Sequence, residues 1–259
     1  MGKGWRNPPV TGVLPIGLED ATKTVQAVLA GGKEYVGVMK LHGEVDFSRV
    51  VKAFKEFTGE IYQRPPLRSS VKRRIRTRVV YYSSVLEMEG RNVLFKVGCQ
   101  SGTYIRKLIH DIGEVLGVGA HMAELRRTRA GPYTEDSNLI RLQDLADAQA
   151  YYQEKKDETW LRRVVLPVET AVELLPKVYV KDSTVEAVCY GAHVAVPGIS
   201  KLDSGIKPGS LTAVMTLKGE LVALAKAEMS TEQILEAERG IALKTERVVM
   251  PKGRYPKAW

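Results

Sequence analysis

Residues 101–129 read SGTYIRKLIHDIGEVLGVGAHMAELRRTR, and this stretch constrains the fold more than any other. Tyr104, Ile105, Leu108, Ile109, Ile112, Val115 and Leu116 recur at helical spacing, which predicts an amphipathic core helix starting near Thr103. Gly117 stands where a helix stop belongs, and Gly119 keeps the chain turning. Arg106 breaks the pattern. It falls in the first turn, off the apolar stripe, where the helix dipole disfavours a cation by about a few tenths of a kcal/mol. A cation there points to an anionic partner, either a protein carboxylate or a ligand phosphate. Arg126, Arg127 and Arg129 add three more cations within four residues. Taken singly, Tyr104 also reads as a buried stripe residue and a basic run as a solvated face; the combination is more telling than its parts.

The charge balance points the same way. The chain of 259 residues carries a formal net charge of +9, more than solubility requires, which favours a polyanionic partner with nucleic acid ahead of a membrane. Residues 61–80, IYQRPPLRSSVKRRIRTRVV, hold Arg64, Arg68, Lys72, Arg73, Arg74, Arg76 and Arg78 and no acid. Pro65 and Pro66 exclude a helix at its start, so the expectation is a long cationic loop followed by a strand. Seven unopposed cations repel one another unless an anion joins them. No apolar run approaches the length of a membrane span, and MGKGWRNPPV has no apolar signal core. Cys99 and Cys189 are far apart and lack ligand spacing; they read as small core residues of a reducing cytosol. Four scattered histidines form no zinc pattern, and there is no phosphate-binding glycine loop, dinucleotide fingerprint or nucleophile elbow.

Along the chain, Asp20 is a fitting cap for a short helix to Leu29, ended by Gly31 and Gly32. A strand over 36–41 follows. Asp46 or Ser48 can cap a helix with Val50, Val51, Phe54 and Phe57 on one face, stopped by Gly59. Residues 79–87 and 91–99 form a hairpin about Glu89 and Gly90, the second strand alternating Val93, Phe95, Val97 and Cys99. Residues 139–175 read as mostly helical, with Leu142, Leu145, Val168, Val172 and Leu175 as core candidates. From Lys177 the texture changes. A helix capped by Asp182 or Ser183 runs to Tyr190, and strands are expected over 193–196, 211–216, 221–227 and 246–250. Ser230-Thr231-Glu232-Gln233 is a capping box before a helix expected to end at Gly240. This is a small β-barrel pattern, with a boundary near 174–177.

With Tyr35 and Tyr104 among the cations, the pattern suggests an RNA cleft in which aromatics stack on unpaired bases and arginines pair with phosphates. Chemistry on a base inside folded RNA requires that base to be turned out.

GTYIRKLIHDIG, GVGAHMAELRRTRAGP, GGKEYVG, QRPPLRSSVKRRIRTR and VTGVLPIGLEDATK together resemble the TruB/dyskerin family of RNA pseudouridine synthases. The KRRIRTR and AELRRTRAGP wording is similar to the archaeal branch, whose members are catalytic subunits of box H/ACA guide ribonucleoproteins. GAHVAVPGI, IKPGSL and KGELVALAKA resemble a PUA domain. The resemblance implies an α+β fold: a mixed, mainly antiparallel synthase sheet with flanking helices over 1–174, and a small β-barrel PUA domain over 175–259. It implies isomerisation of uridine to pseudouridine with no cofactor and no metal. Tyr35 would stack on the target uracil, and Tyr104 would lie beneath ribose or base and act in proton transfer. Arg106 would pair with a catalytic aspartate, and Leu125 would line the pocket. The loop from Arg64 to Arg78 and the cluster Arg126, Arg127 and Arg129 would hold RNA. The implied partners are guide RNA, substrate rRNA or tRNA, and small accessory proteins.

Two departures stand out. The family's catalytic aspartate precedes the VTGVLP segment, and here Asn7 occupies that position. An amide is neutral and serves neither as nucleophile nor as base. The family also carries an upstream segment, and this chain is expected to begin after it. Three readings stay open: a guide-directed synthase, a non-catalytic RNA-binding scaffold or fragment, and a stand-alone tRNA-modifying enzyme. The expected compartment is the cytoplasm.

Overall fold

The computed structural model describes residues 10–64, 74–136 and 139–257. The chain divides into two compact units, residues 1–15 with 30–139, and residues 16–29 with 140–259.

The first unit is a seven-stranded sheet covered on one face by two helices. Its strands are β1 (Val10–Gly12), β2 (Lys33–Leu41), β3 (Gly59–Gln63), β4 (Arg76–Glu89), β5 (Asn92–Cys99), β6 (Ala120–Ala130) and β7 (Tyr133–Thr134). The order is β1-β6-β2-β5-β4-β3, with β7 paired to β6. All ladders are antiparallel except β1 with β6. Val93, Phe95, Val97 and Cys99 alternate into the core as their period of two requires. They meet α2 (Phe47–Glu56), through Val50 and Phe54, and α3 (Ile105–Val115), through Ile105, Leu108, Ile109 and Ile112. The Phe54 and Phe95 rings lie 5.6 Å apart. Each such side chain contributes about 1.5–3 kcal/mol on burial.

Several expectations shift here. The helix of the 101–129 stretch starts at Ile105, with Tyr104 as its N-cap, and Val115 is 57% exposed rather than part of the stripe. Val51 is likewise exposed. The basic segment does not open as a loop. Ile61–Gln63 belongs to β3, which pairs with β4, because Gly59 and the alternation of Ile61 and Gln63 suit an edge strand. The strand expected from Val36 begins at Lys33. β6 was not foreseen: its run of charges hides an interior strand that pairs with β1, β2 and β7.

The second unit contains a 3-10 turn over Glu19–Thr24 and α1 (Val25–Ala30), then α4 (Leu142–Lys155), α5 (Leu161–Val164) and a 3-10 turn over Val168–Val172. A nearly closed, barrel-like sheet follows: β8 (Lys177–Val180), β9 (Val194–Ala195), β10 (Ile199–Leu202), β11 (Leu211–Thr216), β12 (Leu221–Ala227) and β13 (Ile241–Val248), in the order β10-β8-β11-β12-β13-β9. α6 (Asp182–Cys189) and α7 (Thr231–Glu236) pack with it. Val172 and Leu175 are buried here with Ala27, Leu224 and Val249, whereas Leu142 is 74% exposed and not a core residue. The capping box forms at Ser230 and Gln233, but its helix ends at Glu236, since Ala237 already has extended torsions. No helix among the described residues is long and apolar enough to cross a membrane.

Candidate active site

β2 is the strand on which the site is laid out. It runs between β5 and β6, so Lys33 stands opposite Cys99 and Ala130, and Tyr35 opposite Val97 and Arg127. Strand alternation separates Glu34 from Lys33 and Tyr35.

On one face the Arg127 guanidinium stands near the Tyr35 hydroxyl across the β2–β6 pair. Burial pushes the Tyr35 phenol up and neighbouring Cys99 adds to this; Arg127 opposes them without reversing the shift. Cys99 is buried, and burial pushes its thiol up to about 11 against the opposing pull of Thr103, Lys33 and Arg129. Burial lowers the Lys33 ammonium, and the charge on Arg127 lowers it further.

On the other face Glu34 accepts from the Tyr82 hydroxyl at 2.5 Å and from Thr128 Oγ1 at 2.7 Å, and pairs with Lys96 at 3.1 Å. Burial raises the Glu34 carboxyl; its three partners outweigh that and hold it below the usual carboxylate range. Burial raises the Tyr82 phenol, and the bond to Glu34 raises it more.

The start of the described chain is locked to the same place. Val10, Thr11 and Gly12 pair with Leu125, Arg126 and Arg127. Val13 N–H donates to the Arg127 carbonyl at 2.8 Å, and Arg127 Nε donates to the Val13 carbonyl at 2.6 Å. Gly12 has φ +96°, and a Cβ there would lie 2.1 Å from the Arg127 carbonyl oxygen, so no other residue fits without moving a strand. Leu125 is buried opposite Gly37 and Val10.

Tyr104 caps α3, and Arg106 is exposed on its first turn, off the buried stripe. Gln63, buried at the end of β3, accepts from Tyr104 N–H at 2.9 Å and donates to its carbonyl at 3.2 Å.

Residues 4–105 match the TruB family pseudouridylate synthase N-terminal domain, residues 106–173 the tRNA pseudouridylate synthase B C-terminal domain, and residues 176–249 the PUA domain. The chain belongs to the TruB family. It is 59% identical over 256 residues to the "Probable tRNA pseudouridine synthase B" of Pyrococcus furiosus, covering 99% of this chain and 75% of that protein. It is 57% identical to the protein of the same name from Pyrococcus horikoshii, covering 99% and 77%. Among solved structures it is similar to a chain of a Cbf5-Nop10-Gar1 complex (TM-score 0.91, 59% identity, 96% of this chain and 75% of that one). It is also similar to a chain of an H/ACA RNP bound to a substrate RNA containing 2′-deoxyuridine (TM-score 0.88, 56% identity, 96% and 76%).

Of the residues that the TruB resemblance singles out, Tyr35, Leu125, Arg127 and Arg129 lie on neighbouring strands β2 and β6, and Tyr104 and Arg106 open α3. Arg129 donates to the Gly31 carbonyl at 3.2 Å. Arg126 differs from its neighbours: it is paired with Glu135 at 2.6 Å, so its charge is already met. Arg64 and Arg74 are exposed beside β3 and β4, and Arg76 and Arg78 lie on β4. Arg78 holds a buried Nε without a hydrogen-bond partner, against Gly102, whose φ of +84° brings its backbone close. Asn7, Arg68, Lys72 and Arg73 lie outside the described residues. Gln63, Lys33, Glu34 and Cys99 were not foreseen as neighbours of the site. For Lys33 and Glu34 the signal lies in the alternation of Lys33-Glu34-Tyr35, which continues β2 three residues before Val36.

Proposed function

We propose that this chain is the uridine-capturing subunit of a guide-RNA-directed pseudouridylation particle, and that Asn7 leaves it without turnover of its own. The observation that carries the reading is the register of β1 on β6. Val10, three residues after Asn7, pairs with Leu125 of β6, and the other edge of β6 sets Arg127 opposite Tyr35 of β2. The position of the family's catalytic carboxylate is thus three residues in sequence from a strand that shares β6 with Leu125 and Arg127.

In the family reaction the bond from C1′ to N1 breaks, the ring turns, C1′ bonds to C5, the C5 proton leaves, and N1 ends carrying a proton, so that substrate and product are isomers. Tyr35 stacks on the extruded uracil through its ring, with Arg127 opposite it on β6. Leu125 closes the apolar side. Tyr104 lies under the ribose or base, and Arg106 is the partner of a carboxylate at position 7. The Asn7 amide offers hydrogen bonds but no nucleophilic oxygen and no base. Tyr35 is neutral at pH 7, as any phenol of ordinary acidity is, and burial only moves it further from ionising.

Residues 1–174 then form the synthase portion and residues 175–259 the PUA portion that grips the guide. Solved relatives are described with Nop10 and Gar1 and with substrate RNA; we assign this chain the same kinds of partner, small accessory proteins and RNA, and a cytoplasmic location. A second reading, modification of tRNA without a guide, is favoured by the name tRNA pseudouridine synthase B that its relatives carry.

Titrating the chain with a box H/ACA guide annealed to a uridine-bearing target, and separately with a tRNA transcript, tests the choice. Tighter binding of the guide–target pair is expected. Preference for the tRNA would select the second reading, and no RNA binding would refute both.

A further inference from the structure

The turn over residues 100–104, between β5 and α3, is tied to the β3–β4 pair at several points. Gln100 N–H donates to the Val79 carbonyl at 2.8 Å, and the Gln100 side-chain oxygen accepts from Val79 N–H at 3.3 Å. Thr103 Oγ1 closes the turn on the Gln100 carbonyl at 2.7 Å. At its far end stands Gln63, 3% exposed, with both polar atoms of its amide spent on one residue: Tyr104 N–H at 2.9 Å and the Tyr104 carbonyl at 3.2 Å. That carbonyl also accepts the first helical bond, from Leu108 N–H at 3.0 Å.

A single hydrogen bond would satisfy a buried polar group and still let the cap rotate about it. Two directed bonds from one planar amide fix both the position and the tilt of the Tyr104 peptide. Tyr104 and Arg106 leave the backbone within two residues of that clamp. We propose that Gln63 is a positioning residue: it sets the Tyr104 ring, and with it the first turn that carries Arg106, for an extruded uridine. The inference rests on the functional reading above and adds a residue to it. Misplacement of a contacting group by about 1 Å costs on the order of a hundredfold in a positioned reaction, which is the reason to hold a cap at two points.

The test uses the full chain with a box H/ACA guide and a target strand carrying 2-aminopurine beside the uridine, and reads overall RNA affinity and the fluorescence rise on base extrusion. Neither readout needs turnover. Gln63→Leu should leave affinity within about twofold and reduce the extrusion equilibrium about five- to tenfold, the weight of one or two hydrogen bonds. Gln63→Glu keeps the acceptor for Tyr104 N–H and loses the donor; its carboxyl, protonated as pH falls, supplies the donor again, so extrusion should recover at low pH. Equal loss of affinity and extrusion in Gln63→Leu would mark a merely structural residue and overturn the proposal. So would unchanged extrusion, or a pH-independent Gln63→Glu. Failure of the unsubstituted chain to bind RNA would instead overturn the functional reading, and this inference with it.

Discussion

Tyr35 and Arg127 face each other across the β2–β6 ladder, and the same guanidinium reaches back to the Val13 carbonyl at 2.6 Å. One arginine of β6 thus stands against β2 on one side and against the residue that follows β1 on the other. A one-residue slip of β6 would carry it to the opposite face, so sheet register and site geometry are the same property.

Tyr35→Ala should weaken capture of an unpaired uridine about tenfold, the size expected for one lost base stack. Tyr35→Phe should stay within about twofold, because the ring stacks without its hydroxyl. Binding of the guide alone should not change in either variant. Fluorescence anisotropy with and without the target strand checks this.

Replacing Arg73, Arg74 and Arg76 with Ala should flatten the dependence of log affinity on log salt by roughly two to three units, since each phosphate contact contributes about 0.7–0.9. Arg126→Ala should change that slope far less, because Glu135 already neutralises Arg126. An equal effect from Arg126→Ala would mean that its ion pair opens on RNA.

Cys99 should resist alkylation at neutral pH. Its thiol is pushed up to about 11 by burial, so almost no thiolate is present at pH 7. Iodoacetamide labelling followed by mass spectrometry should modify Cys99 only on unfolding or well above pH 9, roughly where an ordinary thiol has already ionised.

Glu34 should support the fold on the alkaline side of its titration. Its carboxyl is raised by burial but lowered further by Tyr82, Thr128 and Lys96, for a net value below the unfolded one. A depressed carboxylate contributes stability that is present above the unfolded value, about 4.3, and lost as pH falls through the folded one. Glu34→Gln should therefore lower the melting temperature at pH 7, with the deficit shrinking below about pH 4. A constant deficit would assign the effect to packing.

Much of this was legible in the residues. The alternation of Val93, Phe95, Val97 and Cys99, the capping box at Ser230, and the strands over Leu211–Thr216 and Leu221–Ala227 were all local patterns, and they stand as read. β6 was not legible, because ELRRTR carries no apolar alternation. Its strand identity comes from ladders with β2 and β1, which are distant in sequence. Val115 looked like a stripe residue by spacing, yet the helix is covered on one side only and leaves it outside. Of the candidate site, Arg106 was marked by its misfit with the helix dipole and Tyr35 and Tyr104 by the cations around them, whereas Leu125 and the individual roles came from motif likeness. Gln63 has no sequence signature: a buried glutamine at a strand end declares its role only when the partner 41 residues away is seen beside it.

The central claim is that position 7 decides turnover. It is tested most directly by tritium release from a [5-³H]uridine target paired with its guide, measured for the chain and for Asn7→Asp, each with the accessory proteins of the particle. The account predicts bound RNA and no released tritium from the chain, with release appearing only in Asn7→Asp. Sustained tritium release from the chain carrying Asn7 would contradict it.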